Sequence, residues 1–327
     1  MVRGRSFMAR ALTAAAATVA IALPVLPASV ASAASPGVDD HGVVANTVPF
    51  KFTPNFTNGA VKSVMQVTHG ATTRIFAGGS FTSVSQVTSA GAAAAKTRNY
   101  LLSFDPATGT LDTVFLPVLN GEVDAIVPTP DGSGIYVAGR FSTAGGVTTK
   151  LALLSTTTGA VVKTFKASVN GAINDLALVG SHLLVGGNFT AIGGLVRDAL
   201  GSVNATTGVV DANYFAIQLT GHHAFGRFPN SIDGPVGVQS LAVSPDGTRA
   251  IVDGNFISAA DSVATYARDQ IVSINLTTPT ATIDPDWNSN AYTSACFNGA
   301  YDGYMRDISW SPDGKYFVVT ATGGYDA

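Results

Sequence analysis

Residues 119–165 read LNGEVDAIVPTPDGSGIYVAGRFSTAGGVTTKLALLSTTTGAVVKTF, and residues 169–215 read VNGAINDLALVGSHLLVGGNFTAIGGLVRDALGSVNATTGVVDANYF. The two stretches align almost residue for residue, so that Gly121 matches Gly171 and Phe141 matches Phe189. Their offset is a period of about 50 residues, a length typical of repeat proteins in which each copy is one supersecondary unit.

Further copies lie on both sides of this pair. An earlier copy passes through Phe81 and the Thr-Gly of residues 108–109, and a later one contains Phe256. A fifth starts near Met305 with RDISWSPDGKYFVV and is cut short by the end of the chain. We therefore expect five successive units, the last of them truncated, over residues 52–115, 116–165, 166–215, 216–287 and 288–327.

Each copy predicts four short strands. In the second copy these are the segments around VDAIV, IYVAGRF, LALLS and VVKTF, with Pro-Asp-Gly and Thr-Gly turns between them. Only 12% of the residues are charged and 35 are glycine, a composition that disfavours long surface helices. The pattern predicts an all-β protein, a β-propeller of four-stranded antiparallel blades that forms an incomplete ring; a three-stranded prism or a β-solenoid is the competing architecture.

The Gly-x-Phe element recurs at one place in four copies. We expect its phenylalanines to be buried and equivalent, filling the space between neighbouring blades: Phe81, Phe141, Phe189 and Phe256. Additions to the repeat fall at two kinds of connection, between a fourth strand and the next first strand (216–237, 288–303) and between second and third strands (82–99, 257–270). In a propeller blade both connections open on one rim, which predicts that this rim is the working face.

The pattern Asn-Gly-x-Val, (Val/Ala)-Gly-Gly-x-Phe-Thr, Leu-x-x-(Leu/Phe), Thr-Gly, as in residues 120–165 and 170–215, resembles the delta-60 repeat of secreted bacterial β-propeller proteins. WSPDGKYFVV (310–319) is also similar to blades of TolB-like propellers. The delta-60 resemblance implies a secreted, often actinobacterial protein, attached to further domains such as PKD or lectin-like modules. It implies no catalytic residues. The missing Gly-x-Phe in the fifth copy departs from the family pattern.

The amino terminus predicts export. Arg3, Arg5 and Arg10 precede an apolar run of about 16 residues, and Ala31-Ser32-Ala33 has the small-x-small pattern of a cleavage site. We expect residues 1–33 to be a signal peptide cleaved near Ala33 or Ala34, with no membrane span in the secreted protein. Loss of the arginines changes the formal charge from −3 to −6, which disfavours nucleic acid as a partner.

Residues 34–51 are expected to be a linker. Within it, the orphan strand VVANTVPFKF (43–52) is a candidate for the fourth strand of the last blade, which would close the ring. The alternative is a fragment whose remaining blades and domains lie beyond residue 327. Cys296 is the only cysteine, and an odd cysteine in a secreted chain favours a disulfide to a partner beyond residue 327 over a free thiol.

Candidate catalytic groups are sparse. His222 and His223, together with Asp233 in the same insertion and Asp302, are the candidates for acid–base work. Adjacent histidines on an extended segment point to opposite sides, which weakens a shared metal site. His-Glu-x-x-His, Cys-x-x-Cys and Gly-x-Ser-x-Gly are missing from the sequence, so no metal and no cofactor is predicted.

Candidate ligand-binding side chains cluster in the insertions and near the fifth copy. Aromatic rings can stack on a sugar while nearby carboxylates accept hydrogen bonds from its hydroxyls; the candidate ligand-binding residues are Arg227, Arg268, Trp287, Tyr292 and Tyr304. The sequence thus favours a secreted binding module for a glycan, peptide or cell-wall component, acting through the insertion face without catalysis. An extracellular hydrolase or lyase at the mouth of the central channel, and a structural spacer between domains, are the alternatives.

Overall fold

The structure is a computed structural model that describes residues 51–223, 236–277, 279–292 and 305–321. Over these ranges the chain contains strands and turns and no helix. The predicted signal peptide and the candidate closing segment up to residue 50 lie outside them.

Each copy of the repeat forms one antiparallel sheet, and we number these blades 1 to 5 along the chain. The innermost strands are Val61–His69, Val123–Pro128, Ala172–Val179, Gly237–Val243 and Met305–Trp310. The second strands are Thr72–Gly79, Gly134–Gly139, His182–Asn188, Arg249–Asn255 and Phe317–Ala321. The third strands of blades 1 to 4 are Leu101–Phe104, Leu151–Ser155, Leu200–Asn204 and Ile271–Asn275.

The fourth strand is shorter than predicted. Blade 4 has the two-residue strand Thr282–Ile283, whereas blades 1 to 3 have a single bridge residue at this place: Leu111, Val161 and Val210. In blade 1 the reason is local, because Asp112 follows the bridge and its Oδ1 accepts hydrogen bonds from the amides of Val114 and Phe115. These bonds turn the chain away from the sheet after one ladder pair.

The blades pack in chain order. Each innermost strand contacts that of the next copy, from blade 1 through to blade 5, and hydrophobic clusters fill the layers between neighbours. This arrangement of antiparallel sheets is that of a β-propeller, as predicted, and the described strands do not close a ring.

The recurring Gly-x-Phe element is part of this packing. All four phenylalanines are buried, with 4% or less of their surface exposed, which confirms their predicted equivalence. The glycines allow close approach, since a Cβ on Gly186 would lie 2.5 Å from Cγ1 of Val238 in the next blade. In blades 1 to 3 the Asn-Gly before the innermost strand contacts the same element. A Cβ on Gly171 would lie 2.6 Å from Cα of Phe189, and Asn170 Oδ1 accepts hydrogen bonds from the amides that follow this phenylalanine.

The described parts of the two kinds of insertion meet at one rim, as predicted, while residues 224–235 and 293–303 of the links lie outside the described ranges. In blade 4 the link strand Gln218–Thr220 pairs with Ser258–Ala260, which itself pairs with Thr265–Ala267. In blade 1 the corresponding strands are Asn55–Phe56, Ser83–Ser85 and Lys96–Thr97, with a further hairpin of Val87–Thr88 and Gly91–Ala92. Blades 2 and 3 carry minimal hairpins here, Thr143–Ala144 with Val147–Thr148 and Ala191–Ile192 with Leu195–Val196. We call this side the insertion rim.

The opposite side carries tight turns and is called the turn rim. The Pro-Asp-Gly turns have a glycine at positive φ, 67° at Gly132 and 71° at Gly247, as predicted. Asp131 accepts hydrogen bonds from Thr129 and Ser133, and these bonds lower its pKa to about 2. The aspartates of these turns therefore accept hydrogen bonds from residues of their own turns.

Candidate functional site

A β-bulge recurs at the start of every innermost strand. The ladder to the second strand shifts register within the first three residues, so one residue of each blade lies outside the regular pairing. Bulges re-aim side chains and are enriched next to functional sites. The five bulged residues are all polar or charged: Lys62, Asp124, Asn174, Gln239 and Arg306.

These five residues line one cavity of about 450 Å³, which we call the central basin. Its other lining residues are Ser63, Ala125, Ile126, Arg140, Asp175, Ser240 and Asp307. The bulges directly follow the links that belong to the insertion rim, so the basin lies at the insertion-rim end of the innermost strands. The repeat thus delivers one polar side chain from each blade to the same place.

Blades 1 and 2 form a charged wall of the basin. Lys62 Nζ is 2.7 Å from Asp124 Oδ1 and also contacts Glu122. Burial works against the Lys62 ammonium, but its hydrogen bonds to Asp124 and Glu122 outweigh burial and raise the pKa of Lys62. Arg140 Nε lies 3.6 Å from Asp124 Oδ2 and 3.7 Å from Glu122 Oε2, so it adds charge without a hydrogen bond.

Blades 3 to 5 form a second wall around the hydroxyl of Ser240. Ser240 Oγ is 2.9 Å from Asp175 Oδ2 and 3.2 Å from Asp307 Oδ1, and it accepts a hydrogen bond from the amide of Ile308. Asp175 Oδ2 accepts a further bond from the amide of Leu241, and Asp253 accepts one from the amide of Ser240. One hydroxyl therefore joins three innermost strands.

Burial changes the acidity of two of these carboxyl groups. Burial, reinforced by the nearby charge of Asp307, raises the pKa of Asp175 to about 6. Burial raises the pKa of Asp253 to about 8, with further contributions from Asp175 and Asp307. Asp253 is fully buried and its Oδ2 accepts no hydrogen bond from the described residues. The environment of Asp253 therefore favours its neutral carboxyl form at neutral pH.

Sequence reasoning missed this group, although one signal was present. Asp253 occupies the place that Gly78, Ala138 and Gly186 hold in the earlier copies, just before the last glycine of the second strand. A carboxyl group at a position otherwise reserved for the smallest residues marks a buried polar site.

The predicted catalytic residues lie elsewhere. His223 is buried, its Nδ1 is 2.8 Å from Asp269 Oδ1, and its amide donates to Asn255 Oδ1. His222 is half-buried beside it, and neither histidine lines the central basin. Asp233 and Asp302 lie outside the described residues, so the predicted histidine–aspartate grouping stays a prediction.

The predicted ligand-binding residues that the structure describes make contacts within the protein. Arg268 is buried and donates to the carbonyls of Ala267, Asp284 and Pro285. Trp287 and Tyr292 are half-buried against blade 5, where the Trp287 ring lies 6.1 Å from that of Phe317. Arg227 and Tyr304 lie outside the described ranges, as does Cys296.

Arg268 has counterparts in two other blades. Arg98, Arg197 and Arg268 each donate to the carbonyl of the preceding residue, and each stands two residues before a non-glycine residue at positive φ: Tyr100, Ala199 and Gln270. Repetition of this arrangement indicates that Arg268 fixes the entry to the third strand.

On the turn rim, His182 belongs to a group of a basic side chain, an aspartate and a serine that recurs in two blades. His182 Nδ1 lies 2.9 Å from Asp211 Oδ2, to which Ser202 also donates, and the His182 ring stacks on Tyr214. Blade 1 has the same group with Arg74 in place of the histidine: Arg74 pairs with Asp112, and the Ser103 hydroxyl donates to the same carboxylate. The serine donates to the carboxylate and not to the histidine, so this is a cross-strand polar contact and not a nucleophile–base pair.

Within the described ranges no group of three or more His, Cys, Asp or Glu side chains is arranged to hold a metal ion. The same part of the chain has no helix with the length and apolar character needed to cross a bilayer.

Part of the chain matches a family model of a β-propeller domain. Residues 101–225 match the family model of the Rax2 C-terminal beta propeller domain, which covers part of blades 1 to 3 and the start of the next link. No curated protein matches the chain in sequence.

Similar solved structures are distant in sequence. The Dos1 propeller is 11% identical with a TM-score of 0.48, covering 81% of this chain and 54% of its own. Hydrazine synthase of Kuenenia stuttgartiensis is 13% identical with a TM-score of 0.40, covering 74% and 53%. A putative 6-phosphogluconolactonase from Bacteroides uniformis is 18% identical with a TM-score of 0.39, covering 69% and 58%. The chain spans about half the length of the first two.

Proposed function

We propose that this protein is a binding module whose ligand docks on the insertion rim, over the central basin. The observation that carries the proposal is the bulge at the start of all five innermost strands, which brings a polar side chain from each blade to one cavity. On the turn rim, the described aspartates of the Pro-Asp-Gly turns are hydrogen-bonded within their own turns.

Exposed aliphatic side chains on the insertion hairpins support a macromolecular ligand. Val147 in blade 2 is 40% exposed, Val196 in blade 3 is 66% exposed and Val263 in blade 4 is 74% exposed. All three belong to connections between second and third strands. Apolar groups presented together with a polar cavity are typical of binding faces.

We place this activity outside the cell, in a secreted or surface-associated protein of the delta-60 type. The support for export is the basic, apolar and small-residue sequence of residues 1–33. The proposed ligands are a glycan, a peptide or a cell-wall component, since these are the polymers that a secreted binding module meets.

The test compares one bulky label on the two rims. In a Cys296→Ser background, Thr148→Cys places a maleimide-linked polyethylene glycol chain on the insertion rim, and Thr157→Cys places it on the turn rim. Both threonines are exposed. Retention of the unlabelled protein is measured on peptidoglycan sacculi, chitin and cellulose. We expect the label at position 148 to abolish retention and the label at 157 to leave it unchanged. Equal retention of the two labelled proteins, or no retention of unlabelled protein on any material, contradicts the proposal.

A hydrolase or lyase is the second candidate, favoured by one observation. Asp175 and Asp307 share the Ser240 hydroxyl, and the pKa of Asp175 is raised by burial to about 6. A carboxyl group that holds its proton near neutral pH is suited to general acid catalysis. Release of reducing ends from the same polysaccharides, lost in Asp307→Asn, supports this candidate; no release from any of them contradicts it.

A further inference from the structure

We propose that the central basin binds a neutral, hydroxyl-rich ligand, a saccharide unit. This inference rests on the proposed function and names the ligand class for it. Four features of the basin lead to this class.

The first feature is the balance of charge. Three basic and three acidic side chains line the basin: Lys62, Arg140, Arg306, Asp124, Asp175 and Asp307. An ionic ligand would meet its own sign of charge on half of these groups, at a cost in desolvation. A hydroxyl group can donate to a carboxylate and accept from an ammonium, guanidinium or amide group, so a neutral polyol can use both sets.

The second feature is a buried acceptor without a donor. The Asp124 side chain is 9% exposed, and its Oδ2 accepts no hydrogen bond from the described part of the chain. Arg140 Nε is 3.6 Å away, which is beyond hydrogen-bond distance. A buried acceptor left without a hydrogen bond destabilises the unliganded protein. A ligand hydroxyl that donates to this oxygen removes that destabilisation.

The third feature is a shortage of protons around Ser240. Its hydroxyl carries one proton, but two carboxylate oxygens lie within reach, Asp175 Oδ2 at 2.9 Å and Asp307 Oδ1 at 3.2 Å. When Ser240 donates to the nearer oxygen, Asp307 Oδ1 is left to accept from elsewhere. Asp307 is exposed in the basin and is positioned to accept from a ligand.

The fourth feature is the scarcity of apolar lining. Ala125 and Ile126 are the aliphatic residues among the lining groups described, and none of those groups is aromatic. Most small-molecule pockets are lined mainly by apolar side chains, so this basin suits a ligand that is polar over its whole surface. Its volume of about 450 Å³ falls within the range of known ligand pockets.

The test uses the full chain and calorimetric titration with maltotetraose, cellotetraose and chitotetraose. Tetralysine, tetraglutamate and tetragalacturonate serve as the charged probes. We expect a neutral oligosaccharide to bind, and Asp307→Ala and Asp124→Asn each to weaken binding about tenfold or more, as expected for a lost hydrogen bond to a charged group. Asp286→Ala is the matched control, because Asp286 is exposed and lies outside the basin lining, and it should bind as the wild type does.

Each outcome has a separate meaning for the inference and for the proposed function. No heat from any neutral oligosaccharide up to about 10 mM, or wild-type affinity in both basin variants, overturns the inference. Binding of a charged probe in place of the neutral ones also overturns it, and it then identifies a peptide or an acidic glycan. The rim-label experiment stands apart from these results: retention blocked only by the label at position 148 keeps the proposed function even where the saccharide inference fails.

Discussion

Ser240 in the innermost strand of blade 4 and Asp175 in that of blade 3 are joined by a hydrogen bond of 2.9 Å between Oγ and Oδ2. The same hydroxyl accepts from the amide of Ile308 in blade 5, so this serine holds three consecutive blades together at the basin. Ser240 is 3% exposed and Ile308 is 5% exposed, so water has little access to replace the hydrogen bond between them.

Ser240→Ala is therefore expected to destabilise the protein by about 2 kcal/mol, since it removes one hydrogen bond to the Asp175 carboxyl group and the Oγ acceptor of the buried Ile308 amide. Urea unfolding of the full chain measures the effect. Ser63→Ala is the matched control, because Ser63 has the same register position in blade 1. It should change the free energy of unfolding by less than about 0.5 kcal/mol. Equal effects of the two substitutions would show that the Ser240 hydroxyl has no special role.

The stability of the protein should depend on the protonation of Asp253. Burial, together with the charges of Asp175 and Asp307, raises the pKa of Asp253 from near 3.8 to about 8; the Ser240 amide and Arg306 act in the opposite direction. The folded state holds this proton to a higher pH than the unfolded chain does. Its contribution to stability is therefore complete below the unfolded pKa and is lost as the pH rises through about 8.

Asp253→Asn removes this titration and keeps an acceptor for the Ser240 amide. We expect the wild type to lose stability between about pH 5 and pH 8, and the variant to lose less and to be the more stable of the two at the upper end. Asp246→Asn in an exposed turn is the control, since hydrogen bonds from Ser244 and Thr248 lower the pKa of Asp246 and place its titration below this range. Parallel pH profiles for wild type and Asp253→Asn would refute the assignment.

The repeated phenylalanines should be energetically equivalent. Phe141 and Phe189 fill matching positions between blades and are almost fully buried. Substitution of either by leucine should cost about 1–2 kcal/mol, because a large side chain is replaced by a smaller one in a close-packed layer. Val196→Ala on an exposed hairpin should cost less than about 0.5 kcal/mol. Chemical denaturation compares the three; a phenylalanine variant as mild as Val196→Ala would mean that the two sites are not equivalent core positions.

Export should remove the amino-terminal segment. Expression in a bacterial host with a signal peptidase should release a protein that begins at residue 34 or 35, since cleavage is predicted near Ala33 or Ala34. The intact mass of the secreted protein measures the cleavage site. Replacing Ala31 and Ala33 by arginine should block processing, whereas the same change at Ala45, within the linker, should not. A secreted protein that keeps residues 1–33 would exclude this signal peptide.

The repeat made much of the fold predictable from sequence. The copies of Gly-x-Phe and Pro-Asp-Gly hold their spacing because each is fixed within one blade, by contacts such as that of Gly171 with Phe189. The shortness of the fourth strand was not predicted, because it depends on how Asp112 caps the turn that follows it.

The central basin could not be predicted from the sequence, for a different reason. Its bulges appear only in the register between strands, and its contacts join residues far apart in the chain, such as Asp175 and Ser240 at a separation of 65 residues. No local pattern marks side chains that meet because three blades are neighbours in space. The unusual acid at Asp253 was the one sign within the repeat that a buried polar group lies there.

Carboxyl footprinting tests the central claim most directly, because native acids mark both rims. Carbodiimide coupling of an amine to exposed carboxyl groups is followed by mass spectrometry, with and without the polysaccharide that retains the protein. Asp307 lines the basin, Glu122 contacts Lys62 of the basin lining, and Asp131, Asp246 and Asp313 report on the turn rim. We predict that the ligand protects Asp307 and Glu122 and leaves the three turn aspartates unchanged. Protection of the turn aspartates with the basin still reactive would contradict the account.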